Sequence, residues 1–140
     1  MPEVHRLTVR VRYPEADPMG RLHHSVLLVY FEMGRTELMR CRGLVYADME
    51  ARGCHIAIAR AEVRYRVAAR YDDELIVETR VREVRGARVV FGNCVLRADG
   101  EAGETLIAEA EITAALVGAR GRPRRFSPEE KALLLGDGPP

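Results

Sequence analysis

Six consecutive residues, Val26-Leu27-Leu28-Val29-Tyr30-Phe31, open a segment that reads as a helix as far as Cys41 and are apolar in every direction around its axis. A helix lying on a protein surface keeps a polar face, so one that is apolar all round needs protein on every side. Ser25 stands where an N-cap is expected, and Gly43 where a helix stops. The later turns carry Glu32, Arg35, Glu37, Arg40 and Arg42 and are expected to meet solvent. Glu32 and Glu37 are expected to pair with Arg35 and Arg40, three residues on, rather than to act as catalytic acids.

Most of the remaining chain alternates as strands do. Leu7, Val9, Val11 and Tyr13 share one side of residues 4–13. Ala61, Val63, Tyr65 and Val67 share one side of a second strand, and Leu75, Val77, Thr79 and Val81 of a third. Residues 88–97 are dense in Val and Phe, and Leu106, Ala108, Ala110, Ile112, Ala114 and Leu116 alternate with polar neighbours. The breaks at Tyr71-Asp72-Asp73, Arg85-Gly86 and Asp99-Gly100 are short enough for antiparallel hairpins. A helical turn is expected near Asp48 and a terminal helix from Pro128 to Leu135. From about residue 118 a polar tail is expected, with Arg120, Arg122, Arg124 and Arg125 solvated. One strand, one wholly apolar helix and four further strands predict an α+β hotdog fold, a five-stranded antiparallel sheet wrapped around one long central helix, as a single domain over 1–140. One copy would leave sheet edges and part of the helix uncovered, so a homodimer or homotetramer is expected.

Charge narrows the partners. Lys plus Arg number 22 against 21 acidic residues, for a net +1, which argues against nucleic acid. Lys131 is the sole lysine beside 21 arginines, a bias that suits a hot environment or a GC-rich genome. The six-residue apolar run is far below the ~20 that a membrane helix needs, and Met1–Arg6 lacks the layout of a secretory signal. A cytoplasmic protein without membrane attachment is expected. Cys41, Cys54 and Cys94 are odd in number and widely spaced, and read as buried thiols in a reducing compartment. Adjacent His23 and His24 lack an acid or Cys partner at chelating spacing, so no metal is expected.

The stretch that suggests chemistry is Asp17-Pro18-Met19-Gly20-Arg21-Leu22-His23-His24-Ser25, directly ahead of the helix. A helix start presents unpaired N–H groups and a partial positive charge, which can hold an oxygen that is becoming negative. A carboxylate in the preceding Pro/Gly loop could fold back to the same point. A polarised carbonyl beside a carboxylate suits ester or thioester hydrolysis, although an Asp in such a loop also serves as a simple turn residue.

Tyr13 through Ser25, followed by Tyr30-Phe31-Glu32 and Arg35-Thr36-Glu37, resembles the acyl-CoA thioesterases of the 4-hydroxybenzoyl-CoA thioesterase-like hotdog superfamily. The stretch from Val63 to Asp73 is similar as well, and the likeness spans roughly residues 5 to 117. The resemblance implies hydrolysis of an acyl-CoA to a free acid and CoA, with Asp17 as nucleophile or general base. It implies that His24 supplies a carbonyl-polarising backbone N–H, that Gly20 permits close backbone approach, and that His23, Ser25 and Leu27 contact substrate. Many relatives carry an aromatic residue where His23 stands and Tyr where Leu27 stands, so the wall of the acyl pocket departs from the pattern. The active site is expected at a subunit interface, with no cofactor beyond the CoA of the substrate.

Residues 52–97 hold ten arginines against six acids, while 99–117 hold five acids and no base. Arg64 and Arg88 are therefore candidates for the CoA phosphates, the other reading being a solvated strand face. Two alternatives keep the fold. A hotdog enoyl-CoA hydratase would change enoyl absorbance without releasing thiol, and a non-catalytic acyl-CoA-binding module would do neither.

Overall fold

The computed structural model describes residues 4–137. Residues 1–3, at the head of the Met1–Arg6 stretch read above, and residues 138–140 lie outside the described residues. The elements in chain order are β1 (His5–Arg10), α1 (Val26–Cys41), α2 (Tyr46–Ala51), β2 (His55–Tyr65), β3 (Glu74–Arg85), β4 (Arg88–Ala98), β5 (Glu104–Val117) and α3 (Pro128–Leu134). The strands form one antiparallel sheet in the order β1-β3-β4-β5-β2, with α1 packed across β3 and β1. This is the hotdog arrangement expected from the chain order.

The bounds of α1 match the pattern. Gly43, at φ +90°, ends it in a conformation that side chains resist. Ser25 occupies the N-cap position without capping: its backbone is already helical and its side chain bonds no helix N–H. The helix lies low on the sheet because Gly34 faces β3. A Cβ there would collide with Thr79 Oγ1 and stand 3.0 Å from Val77 Cγ1.

Protein does not surround this helix within one chain, as expected of a single copy. Leu27, Tyr30, Phe31, Leu38 and Met39 are buried, yet Leu28, Val29 and Met33 are 44%, 51% and 40% exposed. Tyr13 is also exposed, because β1 ends at Arg10 and the chain turns through a short 3-10 helix at Tyr13–Glu15 before the alternation reaches it.

Two of the three expected hairpins form. Arg85 pairs with Arg88 around Gly86 at φ +63°, and β4 returns into β5 past Gly100 and Gly103. The break at Tyr71-Asp72-Asp73 is a crossover instead. Both edges of β3 are occupied, by β1 and β4, so β2 pairs with β5 at the far edge. Residues 66–73 carry the chain across, and β1's continuation exchanges Val11 N–H to Asp73 O and Asp72 N–H to Val11 O, both at 3.0 Å. Irregularities at Ile58/Arg60, Val81/Glu83 and Val95/Leu96 shift the alternation. Ile107 is therefore buried where Leu106 was expected.

The polar-tail reading holds for Arg120, Arg122 and Arg125, which are exposed, but the chain beyond them returns to the core. Phe126 and Leu134 are buried in the core cluster built on Leu38, Met39, Met49 and Phe91. Arg124 pairs with Glu130 at 2.9 Å, and Ser127 and Glu130 form a capping box that starts α3. The thiols are not buried in the way expected either: Cys41 is exposed, Cys54 and Cys94 are half-buried, and all three are free. Among the described residues no helix is long and apolar enough to cross a membrane.

Candidate active site

Two carboxylates shape the loop ahead of α1. Glu15 is buried and accepts hydrogen bonds from Arg12 N–H (2.7 Å), Arg12 Nη2 (3.2 Å) and the Tyr30 hydroxyl (2.8 Å). Burial pushes its carboxyl pKa up, but the donors outweigh burial and hold it below the ordinary value. Burial and donation to Glu15 together push the Tyr30 hydroxyl pKa up. His23 N–H donates to Glu15 O at 2.9 Å. Ala16 bridges Leu22, and Arg21 bridges Arg70. The loop is thereby tied to both α1 and the crossover.

Asp17 organises the loop tip. Its Oδ1 accepts from Met19 N–H (2.8 Å) and Arg21 N–H (3.1 Å). Its own N–H donates to Arg21 O at 2.7 Å. The turn role leaves one oxygen uncommitted, since Oδ2 accepts no hydrogen bond among the described residues. Asp17 lines a cavity of about 300 Å³ with His24, Leu27, Tyr65, Arg66 and Val67.

At the helix mouth, several N–H groups are taken. His23 donates to Glu15 O, Ser25 to His23 Nδ1 (3.2 Å) and Val26 to His23 O (3.0 Å). The N–H groups of His24 and Leu27 have no partner among the described residues. The Tyr65 hydroxyl donates to His24 O at 3.3 Å, steadying that residue from the end of β2. Asp17 and His24, which line one cavity, thus each keep an uncommitted group, a carboxylate oxygen and an N–H, and such a pair can polarise and attack a carbonyl.

The structure therefore brings Asp17, His24 and Leu27 together and leaves the other expected residues outside the cavity wall. His23 stacks on His24 with centroids 4.3 Å apart and bonds Ser25 Oγ at 2.7 Å, so these two side chains brace the mouth. Gly20 serves the turn, at φ +77°, and the nearest atom to a Cβ there is Arg70 Nη1 at 4.0 Å. Arg64 lies in a separate groove beside Glu62 and Arg82. Arg88 sits at the β3–β4 hairpin. Arg66 does line the cavity and pairs with Glu109 at 2.5 Å, which holds the Glu109 carboxyl down. Glu32–Arg35 (4.0 Å) and Glu37–Arg40 (3.6 Å) pair as expected. The roles of Glu15, Tyr30 and Arg21 went unseen in the sequence: Glu15 reads as a solvated loop acid, and no periodicity links it to Tyr30.

Residues 11–134 match the model of the thioesterase-like superfamily. The acyl-CoA thioesterase YbgC of Haemophilus influenzae is 32% identical over 128 residues, covering 90% of each chain. The acyl-CoA thioester hydrolase YbgC of Escherichia coli O6:H1 is 30% identical over 107 residues, covering 76% of this chain and 77% of that one. The crystal structure of a hypothetical protein from Thermus thermophilus superposes with a TM-score of 0.84 at 29% identity, covering 93% of this chain and 96% of the other.

Proposed function

The chain belongs to the thioesterase-like superfamily, and from that premise we propose that it hydrolyses the thioester of an acyl-CoA to a free carboxylic acid and CoA. The observation that carries the mechanism is the shared cavity of Asp17 and His24. In this reading the thioester oxygen accepts the His24 N–H, which stabilises the charge that develops on it. Asp17 Oδ2 either attacks the acyl carbon or takes a proton from an attacking water. By the first route an O–C bond forms, the C–S bond breaks, CoA leaves as thiolate, and water hydrolyses the mixed anhydride to restore the carboxylate. By the second, water adds directly and the proton passes to the departing sulfur. No cofactor enters beyond the CoA of the substrate.

The same reading includes a homodimer in the cytoplasm. β2 is an edge strand with Ile58 and Tyr65 exposed, and Leu28, Val29 and Met33 of α1 are uncovered. Two β2 strands pairing antiparallel about Ala61 would set Arg60 of each copy opposite Glu62 of the other and roof this apolar surface. Three free cysteines suit a reducing compartment.

The test is thiol release from acyl-CoAs by wild type and Asp17→Asn, with folding checked by circular dichroism and mass by sedimentation. The variant is expected to lose at least ~100-fold in rate. Near-wild-type release would remove Asp17 from the mechanism, and loss of enoyl absorbance without thiol release would favour hydration.

A further inference from the structure

The Asp17 loop is a small antiparallel hairpin. Glu15 O accepts His23 N–H at 2.9 Å, Asp17 N–H donates to Arg21 O at 2.7 Å, and Ala16 bridges Leu22 between them. Asp17 therefore rides on a hydrogen-bonded unit that ends at His23. Helical backbone begins at Ser25, with φ −70° and ψ −25°. His24 is the joint between hairpin and helix. Its N–H belongs to the joint, whereas the Asp17 carboxylate belongs to the hairpin. Whatever fixes the tilt of the hairpin against α1 thus fixes the separation of these two groups.

A side-chain bond crosses that joint. The Tyr30 hydroxyl donates to Glu15 Oε1 at 2.8 Å. Helical side chains lean toward the helix start, so a ring rooted at the fifth residue of α1 reaches back over its mouth. Tyr30 is 2% and Glu15 8% exposed, which shields the bond from water. From the other side, Arg12 N–H donates to Oε1 and Arg12 Nη2 to Oε2, fixing the carboxylate in place. Burying a carboxylate costs more than burying an alkyl group, but its bonds have a set direction and length. Neither Glu15 nor Tyr30 lines the Asp17 cavity, so neither acts on substrate there directly.

Resting on the thioesterase reading, we infer that Glu15 and Tyr30 are positioning residues of the reaction: their bond across the joint holds the Asp17 carboxylate at attacking distance from a carbonyl seated on the His24 N–H. A misplacement of 1 Å can slow a reaction by about 100-fold. Because the cavity wall itself is unchanged by altering this bond, the effect belongs to kcat rather than KM.

The test measures thiol release from butyryl-, decanoyl- and benzoyl-CoA, and amide hydrogen exchange, for wild type, Tyr30→Phe, Glu15→Gln and Leu134→Ala. Leu134 lies in the other core cluster, so its variant is destabilised away from the hairpin. All are compared at a temperature where each is folded. Tyr30→Phe should lose about tenfold in kcat with KM within about twofold of wild type. Its Met19, Arg21 and His23 amides, which bond Asp17 and Glu15, should exchange faster. Glu15→Gln should stay within about threefold of wild type, because its amide oxygen still accepts the Arg12 N–H and the Tyr30 hydroxyl. Leu134→Ala should keep the wild-type kcat. A Tyr30→Phe enzyme with wild-type kcat, a loss confined to KM, or an equal loss of kcat in Leu134→Ala overturns the proposal, and thiol release that still depends on Asp17 would leave the thioesterase reading standing. If wild type cleaves none of the three thioesters, the thioesterase reading falls. Faster exchange of those amides in Tyr30→Phe alone then upholds the hold on the hairpin, and unchanged exchange overturns it.

Discussion

Tyr30→Phe isolates the bond that ties the Asp17 loop to α1. The substitution removes one hydroxyl and keeps the ring, so the buried packing of Tyr30 changes little. What is lost is a 2.8 Å hydrogen bond to a buried carboxylate. Bonds to charged groups contribute roughly 1.5–3 kcal/mol. Glu15 retains both Arg12 donors, which sets the expectation at the lower end, about 1.5 kcal/mol, or a melting-temperature drop of about 5 °C for a chain of this size. The pH dependence has a definite sign. Glu15 has a folded pKa below its ordinary value, so its stabilisation is present above the unfolded pKa and is lost as pH falls through the folded one. With one donor gone, the folded pKa moves back toward the ordinary value, and the two proteins should converge in acid. Urea unfolding of both at equal concentration, at pH 7 and pH 3, measures this. A difference under about 0.5 kcal/mol at pH 7, or a gap undiminished at pH 3, would refute the argument.

Gly34→Ala should cost about 1–3 kcal/mol, because the new methyl group meets Thr79 and Val77 rather than space; an unchanged denaturation midpoint would show that α1 rides higher on the sheet. His24→Ala keeps its backbone N–H and should retain thiol release within about tenfold, whereas a loss as deep as that of Asp17→Asn would assign the work to the imidazole. Leu134→Ala should cost about 2–5 kcal/mol by opening a cavity in the core, where a solvated tail would lose nothing measurable.

Local periodicity revealed much of this fold. The bounds of α1 were visible because Ser25 and Gly43 bracket its apolar pattern, and the inner face of β3 was visible because Leu75, Val77, Thr79 and Val81 keep a strict period of two. The misses share a cause: each depends on which distant segment arrives. Spacing alone makes Tyr71-Asp72-Asp73 a hairpin, and only the occupied edges of β3 turn it into a crossover. Phe126 and Leu134 looked like tail residues because the groove that receives them is made by α1, α2 and the sheet. At the candidate site, Asp17 and His24 were legible as a motif beside a helix start. Glu15 was hidden because nothing nearby in sequence signals that a loop acid will be buried under Tyr30.

The strand order has a consequence for a chain emerging from the ribosome. β2 is complete at Tyr65, but its partner β5 ends only at Val117, 52 residues later. At translation speeds of about 5–20 residues per second that interval lasts roughly 3–10 s. Throughout it, the strand carrying Ile56, Ile58 and Val63 has no intramolecular neighbour to pair with, which makes the half-synthesised polypeptide a natural client for chaperones that shield sticky segments.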